Sequence, residues 1–145
     1  MNLSLVERAV RRALEAHAGQ KEENGRPYVL HALRLMLRMD SEQEMAAAVL
    51  HDVVEDTGTT LEELRAEGFP EQVLAAVALL THDKKNVSYR RYVERIASDP
   101  LARKIKLADL EDNLDVKRLA RIGVRETLRL KRYYEAWHRL SREKE

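Results

Sequence analysis

Apolar positions recur along this chain at intervals of three and four residues, in blocks separated by polar, glycine or proline punctuation, as amphipathic helices require. In the first block Val6, Val10, Ala13, Leu14 and His17 share one face. Ser4-Leu5-Val6-Glu7 has the form of a capping box, in which a hydroxyl and a carboxylate each satisfy a free backbone N–H. A helix to about His17 is predicted. Asn24-Gly25-Arg26-Pro27 reads as a turn, and Pro27 can open a helix from Tyr28 to about Met39, because a first-turn position needs no donor. Ser41-Glu42-Gln43-Glu44 is a second capping box. The run Met45-Ala46-Ala47-Ala48-Val49-Leu50 marks this third helix as central and buried, and Gly58 ends it.

Thr60-Leu61-Glu62-Glu63 caps a short helix that Gly68-Phe69-Pro70 stops, and Glu71 to Thr81 forms another with Val73, Val77 and Leu80 inward. A polar loop from Asp83 to Val87 precedes a helix from Tyr89 to Ala97. Asp99-Pro100 then opens one that passes through Asp109 to about Val116. Gly123 breaks the chain again, and the last helix, to about Arg142, places Leu130, Tyr133, Trp137 and Leu140 on one face. No β-type alternation, internal repeat or linker is seen. The expectation is an all-α fold, a single compact multi-helix domain over residues 1–145.

Length agrees with one domain that buries roughly two-thirds of its unfolded surface. The absence of a long uncharged apolar run, and Glu7, Arg8 and Arg11 where a signal peptide would be apolar, predict a cytoplasmic protein without a membrane partner. Net charge is +1, but residues 1–83 hold 8 Lys+Arg against 15 Asp+Glu, while residues 84–145 hold 18 against 10. An acidic half that holds a cation could thus face a basic half that holds an anion, such as a phosphorylated substrate; solvated helix faces are the plainer reading. Basic residues spread over several helices, with only seven aromatics, argue against a nucleic-acid partner. Oligomeric state stays open, since Tyr133, Tyr134 and Trp137 could serve the core or a partner.

With no cysteine, any metal must be held by nitrogen and oxygen. His31, the pair His51-Asp52, and Asp109 lie in three separated helical stretches, and two imidazoles with two carboxylates suit a divalent ion such as Mn, Fe, Zn or Ni. Hydrolysis is the leading reading. In one continuous third helix, Glu55 stacks a turn beyond His51 and Asp56 a turn beyond Asp52, as Asn113 does beyond Asp109. An isolated helical His is more often satisfied locally than a ligand, and a second dipeptide, His82-Asp83, reads as a surface C-terminal cap. His51, Asp52, Glu55 and Asp56 differ from it because they follow the apolar run: burying such groups costs several kcal/mol without a cation or partners.

Four ordered blocks, Ala16-His17-Ala18-Gly19-Gln20, Gly25-x-Pro27-Tyr28-x-x-His31, Leu50-His51-Asp52-Val53-Val54-Glu55-Asp56-Thr57, and Ile105-Lys106-Leu107-Ala108-Asp109 with Asn113, resemble the HD-domain phosphohydrolases. More narrowly, they are similar to the hydrolase domain of RelA/SpoT alarmone enzymes and to small alarmone hydrolases. The resemblance implies a Mn ion held by His31, His51, Asp52 and Asp109, with Glu55 and Asp56 as the pair that positions and activates water. It also implies a nucleotide contact from Asn113 and removal of the 3′-pyrophosphate of guanosine tetra- or pentaphosphate.

Departures fall on the substrate side. Glu22 stands where the family usually has Arg, and Leu110-Glu111-Asp112-Asn113-Leu114-Asp115-Val116 replaces Arg-x-His-Asn-x-Arg-Thr. Lys21, Arg26, Lys84, Lys85 and Lys106 are candidate phosphate contacts, Lys21 and Lys106 foremost. The expected function is a metal-dependent phosphohydrolase acting on a nucleotide phosphate or pyrophosphate ester. Alternatives are a 5′-nucleotidase-type phosphomonoesterase and a non-catalytic nucleotide sensor.

Overall fold

Polar side-chain caps set where five of the nine described α-helices begin. In the computed structural model, which describes residues 2–142, Ser4 and Thr60 close full capping boxes with Glu7 and Glu63, at the heads of α1 (Leu5–Ala16) and α5 (Leu61–Ala66). Ser41 caps α3 (Glu42–Leu50) through the Glu44 amide, but the Glu44 carboxylate turns to the Asp40 amide instead of closing the box. The remaining helices are α2 (Val29–Met36), α4 (Val53–Asp56), α6 (Glu71–Leu80), α7 (Tyr89–Ala97), α8 (Pro100–Asn113) and α9 (Val124–Ser141), with one 3-10 turn at Val116–Arg118. Among the described residues there is no strand, only an isolated bridge between Lys21 and Pro27. It closes a tight loop in which Gly25 takes φ 85°, a conformation open to glycine at little cost.

Helix α3 is the axle. It packs against α1, α2, α6 and α8, and Ala46, Ala47, Ala48, Val49 and Leu50 are wholly buried. Small side chains on α3, with Ala9 and Ala13 on α1, keep little bulk between the two packed helices. All nine α-helices among the described residues contribute to one buried apolar cluster. Helix α9 closes the bundle over α7 and α8, with Ala136 and Leu140 buried and Leu130, Tyr133 and Trp137 half-buried on the same face.

Three boundaries differ from the sequence expectation. Helix α2 stops at Met36, yet Met39 is still buried, because apolar spacing reports burial and not hydrogen bonding. Helix α8 stops at Asn113 and yields to the 3-10 turn instead of running to Val116. Most consequential, the third helix is not continuous to Gly58. The Ala48 carbonyl, which would accept from the Asp52 amide in an unbroken helix, takes the His51 amide at 3.3 Å and the His51 ring N–H at 2.7 Å. The chain turns there, and α4 restarts with the Asp56 amide on the Asp52 carbonyl at 2.9 Å.

Candidate functional site

The break after α3 places His51 and Asp52 side by side at a helix junction, facing His31 of α2 and Asp109 of α8. One ligand atom from each of these four residues lies within 4.8 Å of all the others. His31 Nε2 is 2.9 Å from Asp109 Oδ1 and 3.9 Å from Asp52 Oδ2; His51 Nε2 is 2.9 Å from Asp52 Oδ2 and 3.4 Å from Asp109 Oδ1. His31, His51 and Asp109 are buried and Asp52 is nearly so.

The hydrogen bonds of the outer ring nitrogens decide what the inner ones can be. His51 Nδ1 donates to the Ala48 carbonyl at 2.7 Å, and His31 Nδ1 donates to Asp112 Oδ2 at 2.5 Å. A neutral imidazole so held presents a lone pair at Nε2. Both lone pairs then point toward two carboxylates, and the buried His51 Nε2 has no hydrogen-bond partner. Four electron-rich atoms converging out of water require positive charge between them, and two imidazoles with two carboxylates are a donor set suited to a divalent cation.

Titration behaviour expresses the same demand. Burial presses the imidazolium of His31 down, but its bonds to Asp109 and Asp112 outweigh this and its pKa is raised; for His51, burial is outweighed by Asp52 and Asp109, and its pKa lies well above the ordinary value. Burial works against the Asp52 carboxylate, yet the charge of the adjacent His51 brings it to about 2. Asp109 likewise overcomes burial through Lys106, His31 and His51 and lies well below the usual range.

Around these four, further side chains hold them in place. Lys106 Nζ donates to Asp109 Oδ2 at 2.9 Å and Asn113 Nδ2 to Asp109 Oδ1 at 3.1 Å, so one α8 turn below and one above both fix the same carboxylate. The Tyr28 hydroxyl donates to Asp52 Oδ2 and lies 3.3 Å from Asp56 Oδ2. Glu55 is anchored from the loop after α6: its Oε1 accepts the His82 amide at 2.6 Å, and Lys84 Nζ is 4.0 Å from Oε2. Asp56 is exposed at the rim, and partial burial, with Asp52 and Glu55 nearby, raises its pKa to about 6.

His82 is therefore not a surface cap. It is half-buried, stacks on Tyr92 at 4.5 Å and 19°, and its Nε2 donates to the Val87 carbonyl at 2.7 Å. Lys106 is not a free cation either: it is buried, bound to Asp109, and 5.2 Å above the Tyr92 ring. Lys21 is exposed. Sequence reasoning did not assign Tyr28, although it lay within a quoted block, nor Asp112, whose signal was only its place three residues after Asp109. The arginines Arg34, Arg118, Arg129 and Arg132 also went unassigned.

Two clefts lie beside the centre, lined by side chains that hold or neighbour the four residues and by none of the four themselves. One, of 380 Å³, is bordered by Glu55, His82, Lys84, Lys106 and Arg132; the other, of 210 Å³, by Gln20, Lys21, Tyr28, Asn113, Arg118 and Arg129. Tyr133 borders both. Cations from the basic C-terminal half thus flank ligands drawn mostly from the acidic half. A larger surface cavity of 560 Å³ lies along α1 and Phe69 and touches none of the side chains around the centre.

The chain is similar in sequence and fold to known proteins. The chain is 36% identical over 121 residues to a guanosine-3′,5′-bis(diphosphate) 3′-pyrophosphohydrolase of Aquifex aeolicus, a match that covers 75% of this chain and 17% of that protein. It is 36% identical over 127 residues to the guanosine-3′,5′-bis(diphosphate) 3′-pyrophosphohydrolase MESH1 of Mus musculus, covering 80% of this chain and 70% of that one. A solved structure described as a metazoan ortholog of SpoT that hydrolyzes ppGpp superposes with a TM-score of 0.82 at 25% identity, covering 97% of this chain and 88% of the other. Residues 9–114 match the model of the HD domain, the stretch that holds all four converging side chains, and the chain belongs to the HD domain family.

Proposed function

We propose that this chain is a metal-dependent phosphohydrolase acting on a phosphorylated nucleotide, with a guanosine 3′,5′-bis(diphosphate)-like pyrophosphate ester as substrate. We read residues 1–145 as one HD-type unit, which the single apolar cluster supports. The observation that carries the reading is the convergence of His31, His51, Asp52 and Asp109 within 4.8 Å, with His51 Nε2 buried and unpartnered. The names of the relatives in Aquifex and mouse support the substrate class.

In this reading the four side chains hold a divalent cation, taken to be manganese, which supplies Lewis acidity to the phosphoryl group and acidifies water beside it. Glu55, held by the His82 amide at 2.6 Å, orients the attacking water. Asp56, at the exposed rim and within reach of the Tyr28 hydroxyl, takes the proton that water loses as its oxygen bonds to phosphorus. The bond from phosphorus to the ribose oxygen breaks, and that oxygen takes a proton from solvent. Lys84 and Arg132 in the larger cleft, and Lys21 in the smaller, face the substrate's phosphate charge. Asn113 and Lys106 act first on Asp109 and border the clefts second.

The test is a product assay with Mn, Mg, Co and Zn over alarmones, nucleoside di- and triphosphates and monophosphates. Pyrophosphate release from an alarmone, lost in Glu55→Ala while metal stays bound, is the expected result. Orthophosphate from monophosphates alone would instead identify a phosphomonoesterase, and binding without release a sensor.

A further inference from the structure

His31 is 1% exposed, so its outer nitrogen depends on a partner from the protein. That partner is Asp112, which belongs to no ligand set proposed above. Asp112 is itself gripped from two sides. Arg34 donates from Nε to Oδ1 at 2.9 Å and from Nη2 to Oδ2 at 3.1 Å, a two-point grip that fixes the carboxylate plane. Arg118 Nη1 lies 2.9 Å from Oδ2 and donates to the Asp112 carbonyl at 2.8 Å. Behind them Glu22, whose side chain is 2% exposed, accepts from Nη2 of both Arg34, at 2.6 Å, and Arg118. Two arginines and two carboxylates leave this network neutral, so it orients without altering the charge of the ligand set.

We propose that Asp112, braced by Arg34, Arg118 and Glu22, is a positioning residue for the metal centre: it holds the His31 ring by Nδ1–H so that Nε2 faces the cation. This rests on the metal site proposed above. The competing account is that the network only staples α2 to α8, and the two differ in what a folded variant does to metal affinity. Partners of metal-binding imidazoles commonly change affinity by about 10–100-fold when removed.

The experiment uses the full chain and four proteins: wild type, Asp112→Ala, Asp112→Asn and Arg34→Ala. Mn²⁺ affinity is measured by titration calorimetry, melting temperature without metal, and the ¹⁵N signature of the His31 ring with Zn²⁺ as a diamagnetic probe. Asp112→Ala should bind Mn²⁺ about 10–100-fold more weakly. Asp112→Asn, which keeps an acceptor oxygen, should recover most of that loss. Arg34→Ala should lower the melting temperature more than it lowers affinity. In the Zn²⁺-loaded wild type, His31 should carry its proton on Nδ1 and the metal on Nε2. A folded Asp112→Ala with wild-type affinity overturns the proposal, and so does metal on Nδ1 in the wild type, which needs no variant to fold. Failure of the wild type to bind any divalent cation would refute the metal site itself, a separate outcome.

Discussion

His51-Asp52 and His82-Asp83 are the same dipeptide at the ends of two buried helices, α3 and α6, and they have different fates. At the first, the imidazole spends its outer N–H on the carbonyl of its own helix and leaves Nε2 unpartnered against two carboxylates. At the second, the imidazole is satisfied at Nε2 by Val87 and lies flat on Tyr92, while Asp83 is exposed and ties the Lys85 amide and the Asn86 side chain. A dipeptide can join a candidate metal site only where other elements bring further donors to it, as α2 and α8 do for His51-Asp52. The second pair still serves the first, through its backbone: the His82 amide holds Glu55.

The contrast can be broken most severely at His51. With metal at ~100 times its Kd, wild type should gain about 2.7 kcal/mol, seen as a rise in melting temperature, and His51→Ala should gain none. A full metal-dependent rise in that variant would remove His51 from the site. Next is Glu55→Gln, for which turnover should fall by about 10²–10⁴-fold with the metal-dependent rise intact, as expected when a water-orienting group is lost and the ligands remain. His82→Ala keeps the amide that anchors Glu55, so Mn²⁺ affinity should be unchanged while unfolding in urea shows a loss of about 1–2 kcal/mol from the stack on Tyr92 and the bond to Val87. A tenfold loss of Mn²⁺ affinity there would erase the distinction between the two dipeptides. Smallest, Asp83→Ala should stay within about 0.5 kcal/mol of wild type and bind Mn²⁺ equally, as exposed turn residues usually do.

Helix starts were readable because a cap is local: Ser4, Thr60 and Asp99 each satisfy an amide within three residues. Helix ends were less so. Met39 extended the apolar pattern of α2 although it reaches the core from a turn, and nothing in Leu50-His51-Asp52 announces that a side-chain N–H will take the Ala48 carbonyl and break the helix. The four candidate ligand residues were legible as types at separated places, and the resemblance to a family brought them together. Asp112 and His82 were not legible, since one looked like a departure on the substrate side and the other like a surface cap.

Local chemistry alone determined that this chain is helical, where most helices begin, and that two imidazoles and two carboxylates are available without any thiol. Only the tertiary structure decided that atoms from residues 31, 51, 52 and 109 meet within 4.8 Å, that Lys106 is bound to Asp109, and that Asp112 turns inward to His31. The reason is one of range. Capping and i to i+4 bonds act within a turn of chain, whereas convergence from three helices depends on how buried faces pack, and burial removes the water that would otherwise satisfy each group separately.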